Sequence, residues 1–304
     1  MSDRARVTVP ATTANLGPGF DCLGAALTLY NRFEFVRLAG ESASLQIAVR
    51  GTEADRVAAD ESNLAYQAFC RAYEHLQQTP PPVRMEIELD VPLARGLGSS
   101  ATGIVGGLLA ANGLEDQPLS ETELMRLAIA IEGHPDNVVP ALLGGCRLAV
   151  SDGDDWQICE IPWHETLVPV VAIPNFELST AEARQVLPDR YSRADAIYNA
   201  AHLGLLLRGL ETGNWDWIGV GMGDRVHQPY RGSLIAGYEA VRAAALNAGA
   251  SGVAISGAGP TLLALTLKER SQDVAIAMAT AWQQAGTIPQ VKALQIEPRG
   301  AFLS

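Results

Sequence analysis

Of the 304 residues 48% are hydrophobic and 18% charged, which is enough apolar material for a large core and too few charges for a disordered chain. Acidic residues outnumber basic ones 34 to 22, and the net charge of −12 argues against nucleic acid as a partner. No apolar run reaches the roughly 18 residues of a membrane span, and the first residues lack the apolar core of a secretory signal, so a cytoplasmic protein without a membrane partner is expected.

Val7, Thr8 and Val9 open the first strand, and residues 10–21 read as a loop of turn formers after it. Asn15 and Asp21 are the polar side chains such a loop offers to a small polar ligand. Residues 33–36 and 45–49 continue the β material, residues 63–76 read as a helix, and Pro80, Pro81 and Pro82 form a stiff connector. The following strand, Met85 to Val91, is apolar at odd positions and acidic at even ones.

That strand runs into Pro92, Leu93, Ala94, Arg95, Gly96, Leu97, Gly98, Ser99, Ser100, Ala101 and Thr102, which open an Ala/Gly/Leu-rich helix. Two glycines permit a tight turn, and two serines add hydroxyls and free amides at the helix start. The first-turn N–H groups and the helix dipole there both favour an anion, so a nucleotide phosphate is the expected guest. The loop lacks the Gly-Lys-Ser/Thr ending of a Walker loop. It fits the Gly-x-Gly-x-x-Ala dinucleotide pattern only loosely, because four residues separate the strand from the first glycine and the strand is half polar. A glycine-rich helix entry made only for packing is the remaining reading.

Ser120 to Glu123 form a capping-box pattern ahead of Leu124, Leu127, Ala128 and Ile131, predicting a helix that ends near Glu132 and Gly133. The next residues are His134, Pro135, Asp136 and Asn137, and a carboxylate here suits Mg²⁺, which takes one or two carboxylates plus phosphate oxygens. Residues 151–155 read as an acidic surface turn, 168–173 as an apolar strand and 193–210 as a helix. Trp215 and Trp217 read as packing or a dimer surface, and the glycines at 219, 221 and 223 as close helix packing. Then come a strand (253–255), a second glycine turn from Ser256 to Thr261, a strand (262–267), a helix (272–284) and a strand (291–296), a β-β-α-β order typical of a split α/β half. Two closely packed halves are expected to meet near residues 150–175. Cys22, Cys70, Cys146 and Cys159 show no C-x-x-C spacing and are expected as reduced, mostly buried thiols; the five histidines form no metal-binding pair.

The motif at residues 13–21, the Pro-x-x-x-Gly-Leu-Gly-Ser-Ser-Ala loop at 92–101 and the Gly-x-Gly-Pro turn at 257–260 occur in the order seen in the GHMP kinases, a family that this chain resembles over nearly its whole length. The segments 132–137, 179–184 and 224–231 take the forms of the branch that phosphorylates homoserine. The resemblance implies an α+β, two-subdomain GHMP kinase fold, with a ribosomal protein S5 domain 2-like N-terminal half (1–165, the ATP-binding domain) and a ferredoxin-like C-terminal half (166–304). It implies ATP and Mg²⁺ as cofactors, a homodimer, and transfer of phosphoryl to the side-chain hydroxyl of L-homoserine on the way to threonine. Residues 92–102 would wrap the phosphates, and Glu132 with Ser99 or Ser100 would hold the metal.

Arg184 and Arg231 fall at the family's carboxylate-binding positions, and the arginine fork suits that group. Asn15, Asp21 and Asn137 fall where the amino and hydroxyl ends are contacted, Asp136 lies beside them, Thr180 near the reacting hydroxyl, and Gly257 and Gly259 in the turn near the substrate. The only lysines, Lys268 and Lys292, lie outside every motif, which argues against an Asp–Lys base and leaves direct transfer or Asp136 as base. A kinase for another small alcohol, or a ligand sensor without activity, are the competing functions.

Overall fold

The structure is a computed structural model that describes residues 2–38, 45–153 and 155–304. Two sheets organise it. The first has the strand order β11–β1–β2–β4–β3, from β1 (Arg4–Asn15), β2 (Gly19–Arg37), β3 (Leu45–Gly51), β4 (Val83–Leu89) and β11 (Phe302–Leu303). A hairpin of β5 (Cys146–Asp152) and β6 (Asp155–Ile161) joins the start of β2, and the acidic turn between them includes Asp154, which lies outside the described residues. β3 and β4 run parallel and are joined through helix α1 (Leu64–His75), whose first turn is capped by the Asn63 carboxamide accepting from the amides of Ala65 and Tyr66. Such a cap is worth about 1 kcal/mol.

Most of residues 10–21 is not the expected loop, since 10–15 lie in β1 and 19–21 in β2. β1 continues through 10–15, paired with β2 across an irregularity at Pro10/Ala11, because Ala11, Thr12, Thr13 and Ala14 fit a fully buried strand. The turn is confined to residues 16–18, with left-handed backbone at Asn15, Leu16 and Gly17.

Helices α2 (Ser99–Leu114), α3 (Glu121–Glu132) and α4 (Pro135–Leu143) pack with α1 on this sheet around Phe33, Phe35, Phe69, Ile104 and Leu108. The capping box predicted at Ser120 is present, and α3 ends on Gly133 in the left-handed conformation. Gly106 and Gly107 let α2 approach closely: a Cβ at Gly107 would lie 2.0 Å from the Ala65 carbonyl oxygen.

The second sheet, β10–β7–β9–β8, is antiparallel throughout and is built from β7 (Leu167–Ile173), β8 (Ala250–Ile255), β9 (Leu262–Leu267) and β10 (Gln290–Ala293). Helices α9 (Tyr238–Asn247) and α10 (Ser271–Gln284) cover it around Val241, Val274, Met278 and Trp282, completing the ferredoxin-like half. Between β7 and α9 run α5 (Thr180–Gln185), α6 (Arg193–Thr212), α7 (Trp215–Gly221) and α8 (Gln228–Arg231). β7 reads as a continuous apolar run because both its faces are covered: Val170 and Ala172 face the helices, while Val171 and Ile173 join a second core with Leu16, Leu23 and Leu97 of the first half. That shared core fixes the two halves against each other.

The glycines of α7 pack as expected, since a Cβ at Gly221 would lie 2.7 Å from Leu206 Cα. The cysteines depart from expectation: all four are free, but only Cys146 is buried, whereas Cys159 lies on alternate, outward positions of β6 and is exposed. Among the described residues no helix is long and apolar enough to cross a membrane.

Candidate active site

A cavity of about 510 Å³ opens where the two halves meet. One wall is the N-terminus of α2 with the loop before it. Gly96 and Gly98 both have positive φ, and neither tolerates a side chain: a Cβ would lie 2.2 Å from the Ser256 carbonyl oxygen at Gly96 and 2.0 Å from Thr12 Oγ1 at Gly98. Gly98 precedes α2 without a side-chain cap, so first-turn amides are free to meet an anion. Of the loop, Leu93, Ala94, Arg95, Gly96, Gly98, Ser99, Ser100 and Thr102 line the cavity. Pro92, Leu97 and Ala101 do not, and Leu97 and Ala101 are fully buried, because the alternate sides of the loop and helix must fill the core.

Arg95 lines the cavity but its guanidinium is engaged elsewhere. Nε donates to the Pro174 carbonyl at 3.2 Å and Nη1 to that of Leu93 at 2.7 Å, and ion pairs join it to Glu53 at 3.2 Å and Glu177 at 2.9 Å. Arg56 joins the same two carboxylates. Arg95 therefore ties the loop to the C-terminal half rather than presenting a free cation.

Beyond the loop the cavity has an apolar end formed by Phe33, Val57, Leu64, Ile87 and Leu89. These residues come from two strands, a helix and the 3-10 segment near Ala54–Arg56, and no spacing in the sequence groups them. The signal was only their periodic burial.

At the opposite side Ser100 Oγ donates to Glu132 Oε1 at 2.5 Å, whereas Ser99 makes no such contact. Burial pushes the Glu132 carboxyl above the ordinary carboxylate range, against the lowering effect of Ser100. A hydroxyl and a carboxylate beside a phosphate-type loop are an all-oxygen donor set that fits Mg²⁺. Asp136 Oδ1 lies 2.6 Å from His134 Nδ1 and accepts from Asn137 Nδ2 at 3.3 Å, while Asn137 Oδ1 accepts from Thr12 Oγ1 at 2.8 Å. The hydrogen bond to Asp136 raises the His134 pKa against the opposing effect of burial. His134 had no assigned role in the sequence, although it sits inside the 132–137 motif.

The substrate end is made of charged side chains. Arg184 binds Asp21 through both guanidinium arms, at 2.9 and 2.8 Å. Arg231 is 2% exposed, and its Nε and Nη1 donate to the Ala183 and Gly257 carbonyls at 3.0 and 3.1 Å. Among the described residues it forms no ion pair with a carboxylate. Burial and the like charge of Arg184 lower its pKa, yet a guanidinium stays protonated. The half-buried Phe20 ring lies under both, 5.6 Å from Arg184 Cζ and 5.0 Å from Arg231 Cζ. Asn15, Thr180 and Gly257 also line the cavity. The Asn15 carboxamide is spent on backbone, donating to Gly257 O at 2.8 Å and accepting from Asp21 N at 3.0 Å. Gly259 does not reach the cavity wall; it shapes the turn from behind, donating to Ser256 O at 2.8 Å.

The site thus joins an anion-accepting helix start, an oxygen donor pair and two arginines in one cleft. The profile described as GHMP kinases N terminal domain matches residues 63–145, and that described as GHMP kinases C terminal matches residues 206–287. The homoserine kinase of Trichodesmium erythraeum is 65% identical over 298 residues, covering 98% of this chain and 97% of that protein. The homoserine kinase of Nostoc punctiforme is 65% identical over 295 residues, covering 97% and 96%. The crystal structure of homoserine kinase from Cytophaga hutchinsonii superposes with a TM-score of 0.90 at 30% identity, covering 100% of this chain and 98% of that one. The chain belongs to the GHMP kinase family, on its homoserine kinase branch.

Proposed function

We propose that the protein transfers the terminal phosphoryl group of ATP to the side-chain hydroxyl of L-homoserine, giving ADP and O-phospho-L-homoserine, a step toward threonine. Family membership implies ATP as co-substrate. The observation that carries the substrate is Arg231, a buried cation that forms no ion pair among the described residues, 5.0 Å from the ring that also supports Arg184. A buried, unpaired charge is strongly unfavourable, and a substrate carboxylate compensates it. Asp21 offers the ammonium a partner. Mevalonate would supply the carboxylate without the ammonium, and galactose would supply neither.

The phosphates would lie on the first turn of α2, with the adenine in the apolar end between Phe33, Ile87 and Leu64. Glu132 with Ser100, or Ser99 by a small shift, would hold Mg²⁺, which when bound neutralises phosphate charge. The two arginines add positive charge at the substrate end, and in an acidic chain this local clustering is what makes an anion site. Asn137 and Thr180 would orient the hydroxyl for in-line attack. One oxygen of Asp136 is already shared between His134 and Asn137. This favours Asp136 as an orienting group and direct transfer, with the hydroxyl proton passing to a phosphate oxygen or water.

We also propose a boundary of domains near residue 165, a homodimer, and a cytoplasmic location. The test is ADP release from Mg-ATP with L-homoserine, L-serine, L-threonine, mevalonate or galactose. Turnover with homoserine above the others is expected; turnover only with another alcohol would remove the substrate assignment, and ATP binding without any turnover would favour a sensor.

A further inference from the structure

Behind the substrate end lies a histidine that none of these roles uses. His227 immediately precedes α8 and is fully buried. Its backbone is held by the Asp224 carboxylate, which accepts from the amides of Val226, His227 and Gln228 at 2.9, 2.9 and 2.7 Å and from Asn199 Nδ2 at 2.7 Å. The ring therefore stands on a fixed base. Nε2 lies 2.8 Å from the Gly17 carbonyl oxygen, which only accepts, so Nε2 carries the hydrogen. Nδ1 is then a bare acceptor, buried without a partner among the described residues. A buried polar atom left unpaired is destabilising, so a phenyl ring would be the more favourable filler if packing alone were required. Burial and the neighbouring Arg231 favour the neutral ring; the Asp224 and Asp21 carboxylates and the Gly17 carbonyl oppose them without prevailing.

Besides Asp224, whose Oδ2 lies 3.6 Å from Nε2, the ring meets two groups that lead to the substrate end. Its ring stacks on Phe20 at 5.2 Å and 24°, the same ring that lies under Arg184 and Arg231. Gly17 belongs to the left-handed turn between β1 and β2, and that turn is so tightly seated that a Cβ at Gly17 would lie 2.5 Å from the Met222 carbonyl oxygen. Asp21 follows the turn and carries the bidentate pair with Arg184. We propose that His227 is a positioning residue: by holding the Gly17 carbonyl and supporting the Phe20 ring, it sets the spacing of Asp21, Arg184 and Arg231 for a zwitterionic amino-acid alcohol. This rests on the substrate reading above.

Three variants separate its two contacts. His227→Phe keeps the stack and loses the N–H; His227→Gln keeps an amide N–H and loses the stack; His227→Ala loses both. The readouts are KM for homoserine and for ATP, the Tm, and amide hydrogen exchange at residues 16–21 of the free protein. His227→Ala is expected to raise KM for homoserine about tenfold, the scale of one lost hydrogen bond to a fixed group, with KM for ATP within about twofold. Exchange at 16–21 rises, and the Phe and Gln variants each recover part of both effects. A folded Ala variant with unchanged homoserine KM and unchanged exchange overturns the proposal, as does an equal rise in both KM values. If the Ala variant does not fold, wild-type KM and exchange in both Phe and Gln variants overturn it equally. A parent protein that does not phosphorylate homoserine defeats the substrate reading instead, and the exchange measurement still decides the role of His227.

Discussion

The two ends of the cavity are made from different materials. The phosphate end is backbone: amides at the start of α2, and glycines that admit no Cβ at 96 and 98. The substrate end is side-chain charge, with Asp21 and Arg184 paired across 163 residues of sequence and Arg231 buried beside them. A backbone site tolerates changes of side-chain chemistry but not of volume, and a charge site does the reverse. Substitutions of each kind should therefore damage one end and spare the other.

The largest effect is expected at Arg231. Arg231→Met keeps much of the volume and removes the charge, and losing one partner of a buried charge pair costs about 2–5 kcal/mol. On that scale kcat/KM for homoserine should fall by about 30-fold to several thousandfold while KM for ATP stays within about twofold. A comparable loss in ATP affinity would show that Arg231 serves the phosphates. Gly98→Ala is the matching test at the other end. It places a Cβ on Thr12 Oγ1, 2.0 Å away, at a left-handed residue. KM for ATP should rise about tenfold or more, with homoserine affected less and only through the Thr12–Asn137 bond.

Glu132 sits between the two ends and separates function from stability. Its carboxyl pKa is raised by burial, so between the unfolded and folded values the folded chain binds more protons, and stability falls as pH rises through that window. Glu132→Gln removes this partly buried charge. The Tm at neutral pH should hold or rise slightly, while the Mg²⁺ concentration for half-maximal activity should rise about tenfold. A lowered Tm with unchanged Mg²⁺ dependence would make Glu132 structural.

The same contrast explains what could be read from the sequence. The helix start at Ser99, the capping box at Ser120 and the β-β-α-β order after residue 250 rest on local spacing, and the structure has them. The loop expected over residues 10–21 shrinks to 16–18 because Thr12 and Thr13, polar by type, are buried in a strand: Ser256 Oγ donates to Thr13 Oγ1 at 2.9 Å, from 243 residues away. The apolar end of the cavity was invisible, since Phe33, Leu64 and Ile87 look like ordinary core and Phe33 and Ile87 remain buried in it while lining the cavity. Arg184 and Arg231 were legible only through resemblance; nothing around either residue distinguishes it from a surface arginine until α5 and α8 are brought to Phe20.

Arg95 provides the smallest and sharpest test, because by sequence position it belongs to the phosphate end and by contacts it belongs to neither. Its donors reach Glu53, Leu93, Pro174 and Glu177, so its charge is neutralised twice before a phosphate arrives. Were it a phosphate ligand, Arg95→Ala would weaken ATP strongly and Glu177→Gln would leave ATP untouched or improve it by freeing the cation. As a tie between the loop and the C-terminal half, it predicts that both variants raise KM for ATP by only about two- to fivefold. The double variant should be no worse than the Arg95 single, since residues that act through one contact are not additive. The partly exposed Glu177 limits the size of the effect, because solvent screens that arm of the network. Kinetics of the two single variants and the double variant, measured at low and high salt, decide it. Additive losses, or an Arg95→Ala effect above about a hundredfold, would return Arg95 to the phosphates and make the phosphate end a site of charge as well as of backbone.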